Sequence, residues 1–265
     1  MNLVWISQVV IGLLMVSLGI FVFRRDPLRM TPKIMTQVAM LMVISILLGS
    51  WLKIDLPLLG PESFQINFDT LPIMFIGMLF GPAWGFLAGF MIDMIQLLLA
   101  PTAFPFLGFT FNLMLVGTIS GFVIKRQVGE NYHLMTQMFV VILAIISIAL
   151  VWFVPEFRIN REMLSLSLST KVGVSAALIG VTGILLFLSV RVAKDAFSFK
   201  FLRIVIICEL LVEMVLTSLW LFIILEIPVL LSLVPRVVEG IFMIFVLHSV
   251  GYGLAKTLFN KQLTK

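Results

Sequence analysis

An apolar stretch from residue 71 to 100, interrupted by Gly81-Pro82, constrains this chain more than any other feature. Proline lacks a backbone donor and breaks a helix interior. Small residues at Gly77, Gly85 and Gly89 allow helices to approach closely within lipid. One long tilted helix would also fit the length of the stretch. The break favours two short antiparallel helices, which is a helical hairpin inside a membrane.

The composition indicates that the rest of the chain is also embedded in lipid. Hydrophobic residues make up 61% of the 265 residues and charged residues only 12%, which a water-soluble domain of this length does not show. A bilayer core about 30 Å thick needs roughly 20 helical residues. Further apolar segments of that length lie near 3–23, 34–52, 107–124, 135–154, 170–192, 202–225 and 236–256. The predicted fold is an all-α polytopic membrane protein.

The distribution of Lys and Arg distinguishes one crossing from two in the stretch 71–100. The loop from Arg24 to Lys33 is rich in basic residues and is taken as cytoplasmic. Two crossings place thirteen of the 18 basic residues inside, whereas one crossing places only eight there. Two crossings are therefore predicted, giving nine spans with the N-terminus outside and the C-terminus inside. Basic cytoplasmic loops facing anionic lipid account for the net charge of +5, so no nucleic-acid partner is expected.

The sequence lacks the motifs of the common catalytic and metal sites. It contains neither a phosphate-binding loop nor a His-Glu-x-x-His pair. His133 and His248 are far apart, and Cys208 is the single cysteine, which excludes a disulfide within the chain. We therefore expect no catalytic residue, no metal and no cofactor.

Polar residues in the apolar segments mark the predicted binding site, because each costs about 2.5–3.5 kcal/mol in a bilayer unless it faces a cavity or a partner. Asp93 would accept hydrogen bonds from a ligand or from a neighbouring helix. Arg236 would bind a carboxylate through two parallel hydrogen bonds or pair with Glu239. In the nine-span topology these residues, together with Asp69 and Glu213, converge on one pocket that opens outward.

Aromatic side chains and a pair of acids leave two further interpretations open. Phe104, Phe109 and Trp220 would either stack on a flat heterocycle or belong to the aromatic belt of the membrane interface. Glu209 and Glu213 stand four residues apart on one helix face, where like charges repel. They would either couple transport to protons or pair with a nearby arginine.

The order of several motifs resembles the substrate-binding S components of energy-coupling factor (ECF) vitamin transporters. The segments Gln65-Ile-Asn-Phe-Asp-Thr-Leu-Pro72 and Gly77-Met-Leu-Phe-Gly-Pro-Ala-Trp-Gly85 come first. Phe104-Pro-Phe-Leu-Gly-Phe-Thr-Phe-Asn112 is similar to a YFPGFT segment of the folate-specific members. Thr217-Ser-Leu-Trp-Leu221 and Leu233-Val-Pro-Arg236 are similar to their NTLWL and LPPR segments. Gln65, Asp69 and Thr217 stand where the family often has Arg, Gly and Asn.

The resemblance implies a six-helix core, with about three additional transmembrane helices in this chain. Residues 31–126 would form helices 1–4 of the core and 201–265 helices 5–6. Residues 1–30 would add an N-terminal helix and a basic loop, and 127–200 a two-helix insertion. The predicted substrate-binding residues are Gln65, Asn67, Asp69, Asp93, Phe104, Phe109, Asn112, Glu213, Trp220 and Arg236.

The resemblance also implies the function and the partners. The chain would be a high-affinity vitamin-binding subunit in a bacterial plasma membrane, selective for folate or a related pterin or vitamin. It would hydrolyse nothing itself, because two cytoplasmic ATPases and a membrane coupling subunit would drive uptake. The predicted docking residues on the second helix are Thr36, Ala39, Val43 and Gly49. The alternatives are a proton-coupled carrier of a small organic solute and a membrane-embedded enzyme that acts on lipid.

Overall fold

The computed structural model is predominantly helical and describes most of the chain. The described residues are 2–52, 54–55, 65–99, 105–125, 157–159, 162–164, 168–191, 196–225 and 229–263, with short helical pieces between 137 and 152. Two pairs of short antiparallel strands accompany the helices: β1 (Ile54–Asp55) with β2 (Gln65–Ile66), and β3 (Phe157–Ile159) with β4 (Glu162–Leu164).

The described helices cover most of the predicted apolar segments, and the last helix extends beyond the predicted 236–256 at both ends. They are α1 (Asn2–Arg25), α2 (Pro32–Trp51), α3 (Thr70–Phe80), α4 (Pro82–Leu99), α5 (Leu107–Lys125), α6 (Leu168–Arg191), α7 (Ala196–Ile207), α8 (Thr217–Leu225) and α9 (Val229–Leu263). A π-helical segment, Cys208–Leu216, joins α7 to α8. Within the described residues, five helical stretches are long and apolar enough to cross a bilayer. The class of polytopic helical membrane protein is thus confirmed, and the predicted span 135–154 lies largely outside the described residues.

Local sequence signals explain where α2, α3 and α4 begin and end. Thr31 caps α2 by accepting a hydrogen bond from the Ile34 backbone N–H at 3.3 Å, and Pro32 occupies the first turn, where a missing N–H costs nothing. Gly81 separates α3 from α4 with a φ of 102°, a conformation that glycine adopts readily. The predicted hairpin is present, although α3 has only 11 residues and is shorter than a full crossing.

Glycines hold this hairpin against α5 rather than holding its two arms against each other. A Cβ atom at Gly77 or Gly85 would collide with the backbone of Gly117, and one at Gly89 would collide with the backbone at Leu113. Such close approach lets backbones pack where lipid supplies no hydrophobic drive to association. The three helices α3, α4 and α5 therefore form one tightly packed unit.

An ion pair marks the end of this unit opposite the start of α3. Lys125 Nζ lies 2.7 Å from Asp26 Oδ1, and both side chains adjoin the turn at Gly81. The turn between α3 and α4, the loop after α1 and the end of α5 thus share one end of the molecule. That is the arrangement expected if the stretch 71–100 turns back on the cytoplasmic side.

The N-terminal helix α1 is joined to the neighbouring helices by packing and by polar contacts. Gln8 Nε2 donates to the Pro105 carbonyl at 3.2 Å, and its Oε1 accepts from the Leu107 backbone N–H at 3.4 Å. Ile11 and Met15 of α1 pack in one buried cluster with Phe106 and Trp220. The helix α1 therefore fixes the segment that leads into α5.

Candidate functional site

A cavity of about 190 Å³ lies at the end of the molecule opposite Gly81. Its wall is formed by the segment before α3, by α3 itself, by α4, α5 and α8, by the π-helical segment and by α9. The residues that line it are Asn67, Asp69, Thr70, Asp93, Gln96, Phe109, Asn112, Leu113, Glu209, Glu213, Thr217, Leu221, Arg236, Glu239 and Met243. Such a concentration of polar groups among apolar helices is typical of a binding site in a membrane protein.

Asp69 is held in the segment that precedes α3. Its backbone N–H donates to Asn67 Oδ1 at 3.2 Å, and its carbonyl accepts from Ser45 Oγ at 2.6 Å. Burial, reinforced by the nearby charge of Glu213, raises the pKa of the Asp69 carboxyl to about 7. The side chain is 5% exposed, and no hydrogen-bond partner of its Oδ1 is found among the described residues.

Asp93 lies where α4 and α5 meet. Its Oδ2 accepts a hydrogen bond from Thr110 Oγ1 at 2.5 Å, so the helix–helix interpretation of this acid applies. Asp93 also lines the cavity, with Gln96 one turn further along the same helix and Phe109 on the facing helix. One carboxyl group can thus join two helices and still offer its remaining lone pairs to a ligand.

Asn112 connects α5 to α8 through both ends of its amide. Its Nδ2 donates to Thr217 Oγ1 and its Oδ1 accepts from Trp220 Nε1, each at 2.9 Å. All three side chains are buried, and Asn112 and Thr217 line the cavity. Trp220 does not line it and packs against Phe106 instead, with ring centroids 5.7 Å apart. The indole thus lies behind Asn112 as seen from the cavity, and the stacking of Trp220 on a ligand stays a prediction that this geometry does not favour.

Acidic residues of the π-helical segment face an arginine of α9. Glu213 Oε2 accepts from Thr217 Oγ1 at 3.4 Å and interacts electrostatically with Arg236. Glu209 lies within the electrostatic field of Glu213 and of Glu239. Glu209, Glu213, Arg236 and Glu239 all line the cavity.

The structure brings together most of the residues predicted for substrate binding. The cavity wall contains Asn67, Asp69, Asp93, Phe109, Asn112, Glu213 and Arg236. Phe104 and the side chain of Gln65 lie outside the described part of the chain. Asp93 and Gln96 are three residues apart, so helical periodicity would have found Gln96. Thr70, Glu209, Thr217, Glu239 and Met243 also line the cavity but were absent from the predicted set.

The predicted docking residues of α2 divide between two faces. Thr36, Ala39 and Val43 are exposed, so these three do not serve internal packing. Gly49 lies on another side of α2, because a Cβ atom there would press on Gln96 and Asp69. Gly49 therefore contributes to the packing around the cavity, and its place on a docking face stays a prediction.

Metal binding finds no support in the described residues, where no group of three or more His, Cys, Asp or Glu side chains is placed to hold an ion. The cavity acids are spread over several helices and face amide, hydroxyl and guanidinium groups. The arrangement is suited to an organic ligand with several hydrogen-bond donors.

Comparison with known proteins identifies the class of this chain. The family model "ECF transporter, substrate-specific component" matches residues 33–247, and the chain therefore belongs to that family of transport subunits. The fold is similar to that in "Crystal structure of FolT bound with folic acid", with a TM-score of 0.53, 16% identity, and coverage of 86% of this chain and 95% of the other. At that identity the likeness shows a common fold. Comparison with curated proteins gives no significant match.

Proposed function

We propose that this substrate-specific component binds a vitamin from outside the cell, and that its ligand is folate or a related compound with a pterin ring. The observation that carries this proposal is the polar cavity beside Phe109. Carboxyl and amide oxygens of Asp93 and Asn112 suit the N–H groups of a flat heterocycle, and an aromatic side chain suits its face. The solved structure of similar fold contains folic acid.

The ligand can be tested directly with the purified protein. A mass spectrum of the small molecule that copurifies with it should contain a pterin, and calorimetric titration should give saturable binding of a pterin compound. Asp93→Asn should weaken that binding about ten- to a hundredfold, because removing a charged hydrogen-bond partner costs about 1.5–3 kcal/mol. Asp26→Asn, a matched change at the opposite end, should not. Unchanged affinity in Asp93→Asn would mean that the ligand binds elsewhere.

The proposed topology has nine spans, with the N-terminus outside and the C-terminus inside a bacterial plasma membrane. Within it, residues 31–126 and 201–265 form the S-component core, and 1–30 and 127–200 are additions. The shared end of Gly81, Asp26 and Lys125 supports the turn-back of the stretch 71–100. In a Cys208→Ser background, an impermeant thiol reagent added to cells should label Asn160→Cys and not Asp195→Cys. The reverse pattern would refute this topology.

The proposed partners are a membrane coupling subunit and two cytoplasmic ATPases, which supply the energy while this subunit supplies the binding site. The exposed residues Ala39 and Val43 support a docking face on α2, since small side chains permit close helix approach in lipid. Val43→Trp should abolish copurification with the coupling subunit and leave ligand binding unchanged. Val9→Trp places the same bulk on the exposed surface of α1 and should not disturb assembly. Assembly of Val43→Trp at the normal level would contradict this docking face.

A second candidate function, a proton-coupled carrier, is favoured by one observation. Glu209, Glu213 and Glu239 all line the cavity, and interacting acids can exchange protons with a transported solute. Uptake in proteoliposomes separates the two functions. The ATP-driven subunit requires the coupling subunit and the ATPases, whereas the carrier works alone in a proton gradient.

A further inference from the structure

Acidic side chains dominate the polar wall of the cavity. Its carboxyl groups belong to Asp69, Asp93, Glu209, Glu213 and Glu239, whereas Arg236 is the one cationic residue among the described lining residues. The guanidinium already interacts with Glu213. A ligand carboxylate would therefore share one cation with an acid of the protein and would lie among several further acidic groups. A positively charged ligand would instead favour the ionised form of these acids, including Asp69, whose pKa is raised to about 7 by burial.

Two buried polar atoms at the start of α3 point independently to a ligand. Asp69 Oδ1 and Thr70 Oγ1 have no hydrogen-bond partner among the described residues, and the two residues are 5% and 6% exposed. Both residues line the cavity. Because buried polar groups in proteins are nearly always satisfied, these atoms are ready to bind a group that enters the cavity. The Asp69 carboxyl already interacts with the side chains of Asn67 and Gln96 and with the Thr70 backbone N–H, so Oδ1 is the oxygen left to accept from a ligand. The hydroxyl of Thr70 can donate or accept.

The size of the cavity limits the ligand further. Its volume of about 190 Å³ lies below the roughly 300–1,000 Å³ of pockets that enclose drug-sized molecules. The apolar part of the wall includes Phe109, Leu221 and Met243. A compact ring fits this space, and the face of Phe109 would favour a positive charge nearby.

We propose that the cavity selects a compact, positively charged nitrogen heterocycle, whose ammonium or ring N–H group donates to Asp69 Oδ1, and that it disfavours ligands bearing carboxylates. This inference rests on the proposed function, since it specifies the charge of the substrate in the same cavity. Glu209 and Glu213 reinforce the negative field around Asp69, and Phe109 covers one face of the ring. Folate would then be a poorer ligand than a pterin with a cationic substituent.

Matched probes test the charge of the ligand on a constant ring. We would titrate the purified full chain by calorimetry with 6-aminomethylpterin, 6-hydroxymethylpterin, pterin-6-carboxylate and folate. The first is cationic, the second is neutral, and the last two are anionic. The aminomethyl compound should bind at least tenfold more tightly than either carboxylate. Equal or tighter binding of pterin-6-carboxylate or folate would overturn the proposal.

Substitutions locate the preference at Asp69. Asp69→Asn should weaken binding of the aminomethyl compound at least tenfold more than it weakens binding of the hydroxymethyl compound, because only the aminomethyl compound brings a positive charge to Oδ1. Glu209→Gln should also reduce the advantage of the aminomethyl over the hydroxymethyl compound. This variant provides the test if Asp69→Asn fails to fold. Asp26→Asn, in the exposed ion pair with Lys125, should leave the advantage intact. An unchanged advantage in both cavity variants would overturn the role of these acids.

A second pair of probes separates this inference from the proposed function. If no pterin binds, the proposed pterin ligand is wrong, and the charge preference is then measured with 4-amino-5-aminomethylpyrimidine against 4-aminopyrimidine-5-carboxylate. Tighter binding of the amine supports the inference independently of the pterin ring. Equal affinities, or failure of both pairs to bind, overturn it.

Discussion

The position of Trp220 behind Asn112 leads to a prediction that separates a supporting residue from one that touches the ligand. Trp220→Phe keeps an aromatic ring beside Phe106 but removes the N–H that Asn112 Oδ1 accepts at 2.9 Å. Because Trp220 does not line the cavity, the substitution should cost stability and leave the affinity for a pterin probe within about threefold.

The expected loss of stability follows from the hydrogen bond. A neutral hydrogen bond contributes about 0.5–1.5 kcal/mol net in folded proteins, and about 0.6 kcal/mol on average within a membrane protein. Trp84→Phe is a matched control, since Trp84 is equally buried and its Nε1 has no partner among the described residues. In a chain of this size, each kcal/mol of lost stability lowers the melting temperature by about 2–4 °C. Trp220→Phe should therefore melt about 2–4 °C below Trp84→Phe for each kcal/mol that its hydrogen bond contributes.

A double-mutant cycle assigns the effect to the contact. Asn112→Ala alone removes partners of both Trp220 and Thr217, and should weaken ligand binding about tenfold because Asn112 lines the cavity. Thermal unfolding of Asn112→Ala, Trp220→Phe and the double variant in detergent should give a coupling of about 0.5–1 kcal/mol. Additive effects on stability, or a tenfold loss of affinity in Trp220→Phe at an unchanged melting temperature, would refute this reasoning.

Two further predictions concern the stability of the fold. Gly81→Ala should destabilise the protein by about 1–3 kcal/mol, because Gly81 has a φ of 102° and a Cβ atom would strike Asp26. Gly180 lies in open space on α6, so the control substitution Gly180→Ala should be neutral or slightly stabilising. Below about pH 4 the Asp69 carboxyl is protonated in both the folded and the unfolded chain, so its contribution to the free energy of unfolding is complete. As the pH rises to about 7, the unfolded chain ionises first, and the unaltered protein should lose up to roughly 4 kcal/mol of stability relative to Asp69→Asn. Melting temperatures between pH 4 and 8 that stay parallel for the two proteins would contradict the raised pKa.

Local signals in the sequence were sufficient to predict the hairpin and to single out Asp93 and Glu213, two of the acids that line the cavity. Gly81-Pro82 ends one helix and begins the next wherever it stands in a chain, and Asp93 and Glu213 are costly in a bilayer unless they face a cavity or a partner. Both arguments use residues close together in the sequence. They therefore needed no knowledge of which helices pack against each other.

Long-range pairing could not be predicted in the same way. The position of Trp220 depends on Asn112, which is 108 residues away and satisfies the indole N–H. The glycines of the hairpin meet α5 rather than each other because Gly117 and Gly121 offer a second glycine surface. The π-helical segment that presents Glu209 and Glu213 has no sequence signature comparable to a helix cap. In each case a residue distant in sequence decides which of two local interpretations applies.

The helix α2 connects the cavity to the surface proposed for docking. On one face, Ser45 is fully buried and donates to the Asp69 carbonyl at 2.6 Å, and Gly49 leaves room for the Asp69 side chain. On another face, Ala39 and Val43 are exposed. Helices transmit displacements as rigid units because their cores resist compression. A ligand that moves Asp69 therefore acts directly on the helix that would meet the coupling subunit, with no intervening loop to absorb the motion.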